Sequence, residues 1–381
     1  MTRPMAKGWC PGVLKPMMSG DGLLVRVRPR LGRLTRPQVE ALCGAALAHG
    51  NGVLDLTSRA NVQLRGIQPA GYEPLLAELA TADLIDNTVA DETRDNVIVS
   101  PFWQTGDDTA GIASELRARL DALPELPAKF GFAIDVSGPG CLAAASADVR
   151  LERSAEGALL VRRDGAEFGE RTTREEAVDR MIELCDWFVA TGGRASRRMA
   201  RHRATPPVLD PLRRERPAAP RAPLVPGMSS LGPVYGAPFG SVEATDLLDL
   251  VRASDAAALR TTPWRLFVLE GGAPVDCDAL ITTADDPLLH VAACPGAPRC
   301  PSATVDTRTL ARALAPVLAG RVEGSLHVSG CAKGCAHPKN AAISVVGRED
   351  RFDIVRNGCA WDAPEASGLQ PAEIVTQLGS V

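Results

Sequence analysis

The chain has 381 residues, 45% of them apolar, with only 4% aromatic residues and a formal net charge of −4. That length supports two or more packed domains, and the balance shows neither the basic surface nor the stacking aromatics expected of a nucleic-acid binder. The opening MTRPMAKGWCPG lacks an apolar signal core and no stretch approaches the roughly twenty apolar residues of a membrane span, so a soluble cytoplasmic protein with reduced cysteines is expected.

In DGLLVRVRPR (21–30), Val25 and Val27 alternate with Arg26 and Arg28, the period of a half-buried strand. Thr35, Pro37 and Gln38 form a capping-box start for a helix through Val39, Leu42, Cys43 and Leu47, ending near His49-Gly50. Cys43 reads as a core thiol and His49 as a helix terminus. A strand over GVLDLTSRANVQLRGI (52–67), a helix near 73–84, a buried strand in DNVIVSPF (95–102) and a helix at 109–122 follow. Strands are predicted at 129–138 and 147–153, then a helix REEAVDRMIELCDWFVA capped by Thr172 or Thr173, with Cys185 on its apolar face. Residues 201–230 are too rich in Pro, Ala and Arg to pack and read as an extended linker.

After the linker the order recurs: a helix near 243–253, a strand in TTPWRLFVLEG (261–271), a loop after DPLLHVAA, a helix at 307–318, and strands at 325–330 and 341–347. TSRANVQLRG (57–66) overlays TTPWRLFVLE (261–270), and FAIDVSG (132–138) overlays SLHVSG (325–330), which argues for an internal duplication. The fold class is α+β. The expected divisions are 1–90, 91–205, a linker at 206–230, then 231–286 and 287–381.

The chemistry concentrates near the C-terminus. VAACPGAPRCPSA (291–303) and HVSGCAKGCAHP (327–338) place Cys294, Cys300, Cys331 and Cys335 as C-x5-C, thirty residues, C-x3-C. Four thiolates suit a [4Fe–4S] cluster. Zinc knuckles favour tighter pairs, and disulfides or four buried thiols are the bland alternative. In the duplicated register the first half carries Arg59, Gln63, Arg65 and Lys129 in place of the cysteines. Arginine forks match carboxylates, so these residues could grip a polyanion in a site between the halves; solvated strand-face cations are the competing reading. Lys333 and Lys339 flank the second cysteine pair and could tune the cluster or touch the ligand. His337 reads as a loop histidine. Cys10 and Cys359 read by default as structural or loop thiols.

The cysteine signature, the TSRANVQLRG strand and the LPAKF segment together resemble the sulfite and nitrite reductases, over nearly the whole chain from about residue 15 to 347. CPGVLKPMMSGDGLLVRVRP, TSRANVQLRG and SGCAKGCAHP are similar in particular to the precorrin-3B synthase branch. The resemblance implies a pseudo-twofold fold of two ferredoxin-like half-modules and two cluster-domain halves around a tetrapyrrole. Two positions depart from the reductases: Gly131 stands where they carry lysine or asparagine, and Asp95, with Arg94 before it, where they carry arginine. Both positions bind the small anion on sirohaem iron, so a reductase is disfavoured, while Arg59 and Lys129 still suit tetrapyrrole carboxylates. The branch implies an oxygen-dependent monooxygenase with precorrin-3A as substrate. It hydroxylates the meso carbon joining rings A and D, and the ring A acetate closes a γ-lactone. Implied cofactors are a [4Fe–4S] cluster and a mononuclear non-haem iron. No two-His-one-carboxylate set stands out among His49, His202, His290, His327 and His337. The implied substrate-binding residues are Arg59, Gln63, Arg65, Arg94, Lys129 and Lys333. A sirohaem-dependent sulfite or nitrite reductase and a non-catalytic tetrapyrrole-binding iron–sulfur protein are the alternatives; no nucleic-acid or membrane partner is expected, and the electron donor is not legible.

Overall fold

The computed structural model describes residues 10–138, 140–204, 213–321 and 324–379. These form four sheets with helices packed on them, an α+β protein. The first sheet runs Met17–Met18, Leu23–Val27, Val62–Ile67, Val53–Leu56, and is completed by Ser241–Glu243 from the second half of the chain. The matching sheet runs Gly227–Ser229, Gly232–Gly236, Leu266–Glu270, Ala258–Thr261, and is completed by Arg33–Thr35 from the first half. Each half-module therefore lends its neighbour an edge strand, which removes one exposed edge from each sheet.

The exchange follows from one local device used twice. A tight left-handed turn precedes each lent strand, at Leu31-Gly32 (φ 53° and 67°) and at Phe239-Gly240 (φ 61° and 79°). A helix starts directly after each strand, Arg36–His49 and Ala244–Ser254. The first is capped as expected, with Thr35 N donating to Gln38 Oε1 at 3.0 Å. Val39, Leu42 and Ala46 of one helix join Leu247, Leu250 and Val251 of the other in a single core.

The duplication is real, with a register one residue beyond the overlay of 57–66 on 261–270. Leu54 pairs with Leu64 as Leu259 pairs with Leu269, and Asp55 with Gln63 as Arg260 with Val268. Ala60 (φ 57°) thus stands at Arg265 (φ 62°), and Gly66 (φ 73°) at Gly271 (φ 70°). Likewise Phe132 stands at Leu326, because they occupy the same pairing positions between Val97 and Val149, and between Val291 and Ile343. The stretch expected as one strand over 52–67 is two, Val53–Leu56 and Val62–Ile67. Thr57–Asn61 turns between them, with Thr57 N donating to Asn61 O at 2.9 Å.

Two further sheets carry the parallel strands. One is ordered Arg214–Glu215, Gly169–Thr172, Leu159–Arg163, Val149–Arg153, Phe132–Ile134, Val97–Val99. The other is ordered Val291–Ala293, Leu326–Ser329, Ala341–Arg348, Arg351–Gly358, Ala366–Leu369. In each, three parallel strands are extended by an antiparallel hairpin. Helices Asp108–Ala118 and Ala177–Ala190 cover the first, and Thr307–Leu318 the second. The segment read as too Pro- and Arg-rich to pack is docked where it is described. Arg214–Glu215 adds an edge strand, and Ala218 N donates to Arg153 O at 2.8 Å. Residues 205–212 of that segment lie outside the described residues. Cys43 and Cys185 are fully buried among apolar side chains. Burial pushes the Cys43 thiol up to about 12 and Cys185 well above its usual value, so both are inert at neutral pH.

Candidate functional site

The cysteines sit at the carboxyl ends of adjacent parallel strands, where the backbones diverge and leave a crevice. Cys294 follows Val291–Ala293, and Cys331 follows Leu326–Ser329 at Gly330. The first loop is pinned by Thr307 Oγ1, which donates to Cys294 O at 2.6 Å, and by Ala303 N, which donates to Cys300 O at 3.0 Å. Gly330 N donates to Cys294 Sγ at 3.1 Å, the kind of N–H···S contact that favours a thiolate in a cluster site. Burial and then Cys331, Cys294 and Cys300 push the Cys335 thiol up, so all four sulfurs share one electrostatic neighbourhood. Cys294, Cys300, Cys331 and Cys335 could hold an iron–sulfur cluster, because an all-sulfur set of four donors suits one. Among the described residues, no group of three or more His, Cys, Asp or Glu is placed to hold a single metal ion.

The first half shows what the same loop becomes without ligands. Val99 pairs with Ile134 as Ala293 pairs with Val328, so Ser100 stands at Cys294. Counting back from the equivalent Val149 and Ile343 sets Cys141 at Cys335. Cys141 Sγ contacts Ser100 Oγ at 3.5 Å and Asp135 Oδ1 at 3.8 Å. Burial, then the Asp135 charge, pushes its thiol up to about 12. The duplicate loop is a hydrogen-bonded relic, and the thiol quartet belongs to the second half alone.

Facing the cysteines is the polar face of the first sheet. Arg26 lies opposite Gln63, and Asp55 on the other side of Gln63. Gln63 Oε1 accepts from Arg26 Nη2 at 2.6 Å and Nε at 3.1 Å. Arg65 is held by carboxylates: its Nε donates to Asp21 Oδ2 at 3.3 Å, and its Nη1 is 3.7 Å from Asp55. Arg308 continues the row, 3.7 Å from Asp55, with Cys294 among the charges acting on it. Gly20 meets the first cysteine loop, since a Cβ there would fall 1.9 Å from Pro301 Cδ. The face thus reaches from the first parallel sheet to the cysteines. In the second half-module Val234 and Val268 stand at Arg26 and Gln63 and pack with Leu224 and Trp264. That second face also carries Arg33 and Arg260, in the row of Val268 and Val234, but both close on Glu270 at 2.8 Å.

Arg59 projects from the Thr57–Asn61 turn, with Nη2 donating to Lys129 O at 2.6 Å and to Ser146 Oγ at 3.3 Å. Lys129 is exposed beside it. Arg198, which pattern reading missed, meets the same Ser146 Oγ at 3.3 Å and pairs with Asp148 at 2.9 Å. Arg28 is also new here: its side chain is 6% exposed and lies 3.5 Å from Glu92. The alternation of Arg26 and Arg28 with buried valines, on the face shared with Gln63, was the available signal. Arg94 is set apart, its Nη1 donating to Leu120 O at 3.3 Å. Lys333 Nζ donates to Ser302 Oγ at 2.8 Å, bridging the two cysteine loops.

Both departures have structural grounds. A Cβ at Gly131 would lie 2.9 Å from Asn96 O, and Gly131 N is held by Asp148 Oδ2 at 3.1 Å, so a long side chain has no room there. Asp95 is 5% exposed and its Oδ2 is 2.8 Å from Arg117 Nη2. Burial outweighs Arg117 and pushes its carboxyl up to about 6. Neither position offers a cation.

Residues 15–82 match the nitrite/sulfite reductase ferredoxin-like half domain. The structure resembles the Mycobacterium tuberculosis NirA protein, with a TM-score of 0.57 over 94% of this chain and 79% of that one. At 17% identity this likeness establishes the fold, a duplicated sulfite/nitrite reductase-like architecture. A curated precorrin-3B synthase from Sinorhizobium sp is 33% identical over 95% of this chain and 85% of its own. The duplicated fold, the thiol quartet and that identity together make this chain a member of the precorrin-3B synthase family.

Proposed function

We propose that the protein is an oxygen-dependent oxidoreductase that converts precorrin-3A to precorrin-3B, hydroxylating a meso carbon with γ-lactone formation. The observation that carries this reading is the arginine-bearing face of the first half-module beside the four cysteines of the second half, in a fold whose relative is named for that product. Cys294, Cys300, Cys331 and Cys335 would hold a [4Fe–4S] cluster, which supplies single-electron transfer when bound. Among the described residues no group of three or more His, Cys, Asp or Glu is placed to hold a mononuclear iron.

The chain's own groups bind and orient. Arg59 and Gln63 present donors to the carboxylate arms of the macrocycle, with Lys129 at the rim. Arg65, already between Asp21 and Asp55, fixes the face in place and links it through Asp55 to Arg308 beside Cys294. Lys333 brings a positive charge next to the thiolates and ties their loops together. Arg94, its Nη1 donating to Leu120 O, stands apart from this face. The absence of a cation at positions 95 and 131 takes away stabilisation of a small anion and argues against sulfite or nitrite reduction.

Cluster-loaded protein incubated with precorrin-3A, dioxygen and a reductant should yield a product heavier by a single oxygen atom. Unchanged substrate mass with bound tetrapyrrole would point to a carrier, and sirohaem absorption bands in the purified protein would point to a reductase; either result overturns the proposal.

A further inference from the structure

The duplication supplies a comparison inside the molecule. Counting back from the equivalent Val149 and Ile343 sets Leu142 at Ala336, the residues next after Cys141 and Cys335. In both halves an arginine donates to that carbonyl. Arg150 Nη1 donates to Leu142 O at 2.9 Å, and Arg265 Nη2 donates to Ala336 O at 3.3 Å. Their charges are balanced differently. Arg150 pairs with Asp164 at 2.8 Å. Among the described residues Arg265 makes no ion pair, and its hydrogen bonds go to two carbonyls, Val291 O and Ala336 O, at 3.3 Å each.

The fold commits Arg265 to this place. It lies in the left-handed region (φ 62°) of the 262–266 turn, which Thr262 Oγ1 closes by donating to Leu266 O at 2.7 Å. Its stem runs over Gly240, where a Cβ would fall 3.2 Å from Arg265 Cγ. Withdrawal from water, then the charge of Arg308, pushes the guanidinium pKa down. The neighbouring His327 is fully buried with neither ring nitrogen partnered; burial, then His337 and Arg265, push it down to about 4, so it stays neutral. The other cations at the cysteine loops are already accommodated. Arg308 lies 3.7 Å from Asp55, Arg299 lies 3.6 Å from Glu243, and Lys333 is exposed to water. A cation drawn out of water without a counter-anion is costly. The loop that Arg265 holds would carry the missing anion, since four thiolates outweigh the charge of the iron–sulfur core they bind.

We propose that Arg265 is the internal counter-charge of the iron–sulfur cluster: it fixes the Cys335 loop through Ala336 O and makes the cluster easier to reduce. This rests on the reading of Cys294, Cys300, Cys331 and Cys335 as cluster ligands, and adds to it a positioning residue from outside both cysteine loops. Reduction adds one negative charge. A cation held away from water stabilises that charge more than an exposed lysine, whose field water and salt screen. The half without the thiol quartet keeps the same clamp on its loop but cancels the charge with Asp164.

The test uses full-length, cluster-loaded protein with Arg265→Gln, which keeps a donor for a carbonyl but drops the charge, and Arg265→Lys, which keeps the charge. The readouts are iron and sulfide per chain, and the midpoint potential from a reductive titration followed by electron paramagnetic resonance. Arg265→Gln should lower the equilibrium constant for reduction about tenfold or more, 59 mV for a one-electron couple, while Arg265→Lys stays within about threefold of wild type. Lys333→Gln should shift it less than Arg265→Gln does. An unchanged or raised potential in Arg265→Gln overturns the assignment, as do equal falls in the two Arg265 variants or a larger fall in Lys333→Gln. If Arg265→Gln loses its cluster, Arg265→Lys decides: a cluster retained at the wild-type potential supports the counter-charge, and any other result overturns it. If the wild-type chain holds no iron and sulfide after reconstitution, the cluster reading fails instead.

Discussion

Serine substitutions at Cys331 and Cys185 separate the two roles given to cysteine here. Cys185 is fully buried in the first parallel-sheet core, with Phe188, Met181 and Ile182 in the same apolar cluster. Replacing its sulfur by a hydroxyl changes little volume but buries a polar group, a cost of about 1–3 kcal/mol. Spread over a chain of this length, that lowers the melting temperature by a few degrees and should leave iron untouched. Cys331 is half-buried at the strand-end crevice, within electrostatic reach of Cys335. Serine there removes one of four thiolates, and the remaining set cannot balance the cluster. The expected result is loss of most iron and acid-labile sulfide with a minor change in the melting of cluster-free protein. The assay is iron and sulfide per chain beside thermal unfolding of both variants, with and without cluster reconstitution. Equal iron loss in the two variants, or full iron in Cys331→Ser, would refute the division.

Arg59→Ala should weaken uroporphyrin binding by about 1.5–3 kcal/mol, roughly tenfold to a hundredfold, while Arg59→Lys restores only part because the fork is lost; titration by fluorescence decides it. Gly20→Ala places a methyl against Pro301 and should speed cluster loss in air, measured by bleaching of the iron–sulfur absorption, with no ligand removed. Asp95 provides a pH signature. Its folded carboxyl, at about 6, holds a proton more tightly than the unfolded chain's, so the folded state loses stability as pH rises from about 4 to about 6. The loss is up to about 3 kcal/mol and is complete above that window. Asp95→Asn cannot titrate, and chemical denaturation at pH 4.5 and 8 should show a flatter profile than wild type; identical profiles would remove Asp95 as the cause.

Local chemistry was readable from the chain itself. The capping box at Thr35 and Gln38, the apolar stripe through Val39 and Leu42, and the paired cysteine spacings each depend on neighbours a few residues away. The short strands Leu159–Arg163, Gly169–Thr172, Arg351–Gly358 and Ala366–Leu369 were not read, because their burial comes from sheet neighbours rather than from any period of their own. Arg59 and Gln63 stood out in the TSRANVQLRG motif. Arg198 did not, because what marks it is Asp148 and the Ser146 hydroxyl it shares with Arg59.

The sequence by itself determined the duplication, the number and spacing of thiolates and which helices have apolar faces, since these are properties of residue order. Only the tertiary structure decided that Arg33–Thr35 and Ser241–Glu243 change places between sheets, and that the arginines of one face run toward the cysteines while those of its twin, Arg33 and Arg260, close on Glu270 beside Val234, Val268 and Leu224. Strand pairing across such separations is set by the burial of whole sheet faces and by loop closure, terms that no local window of residues contains.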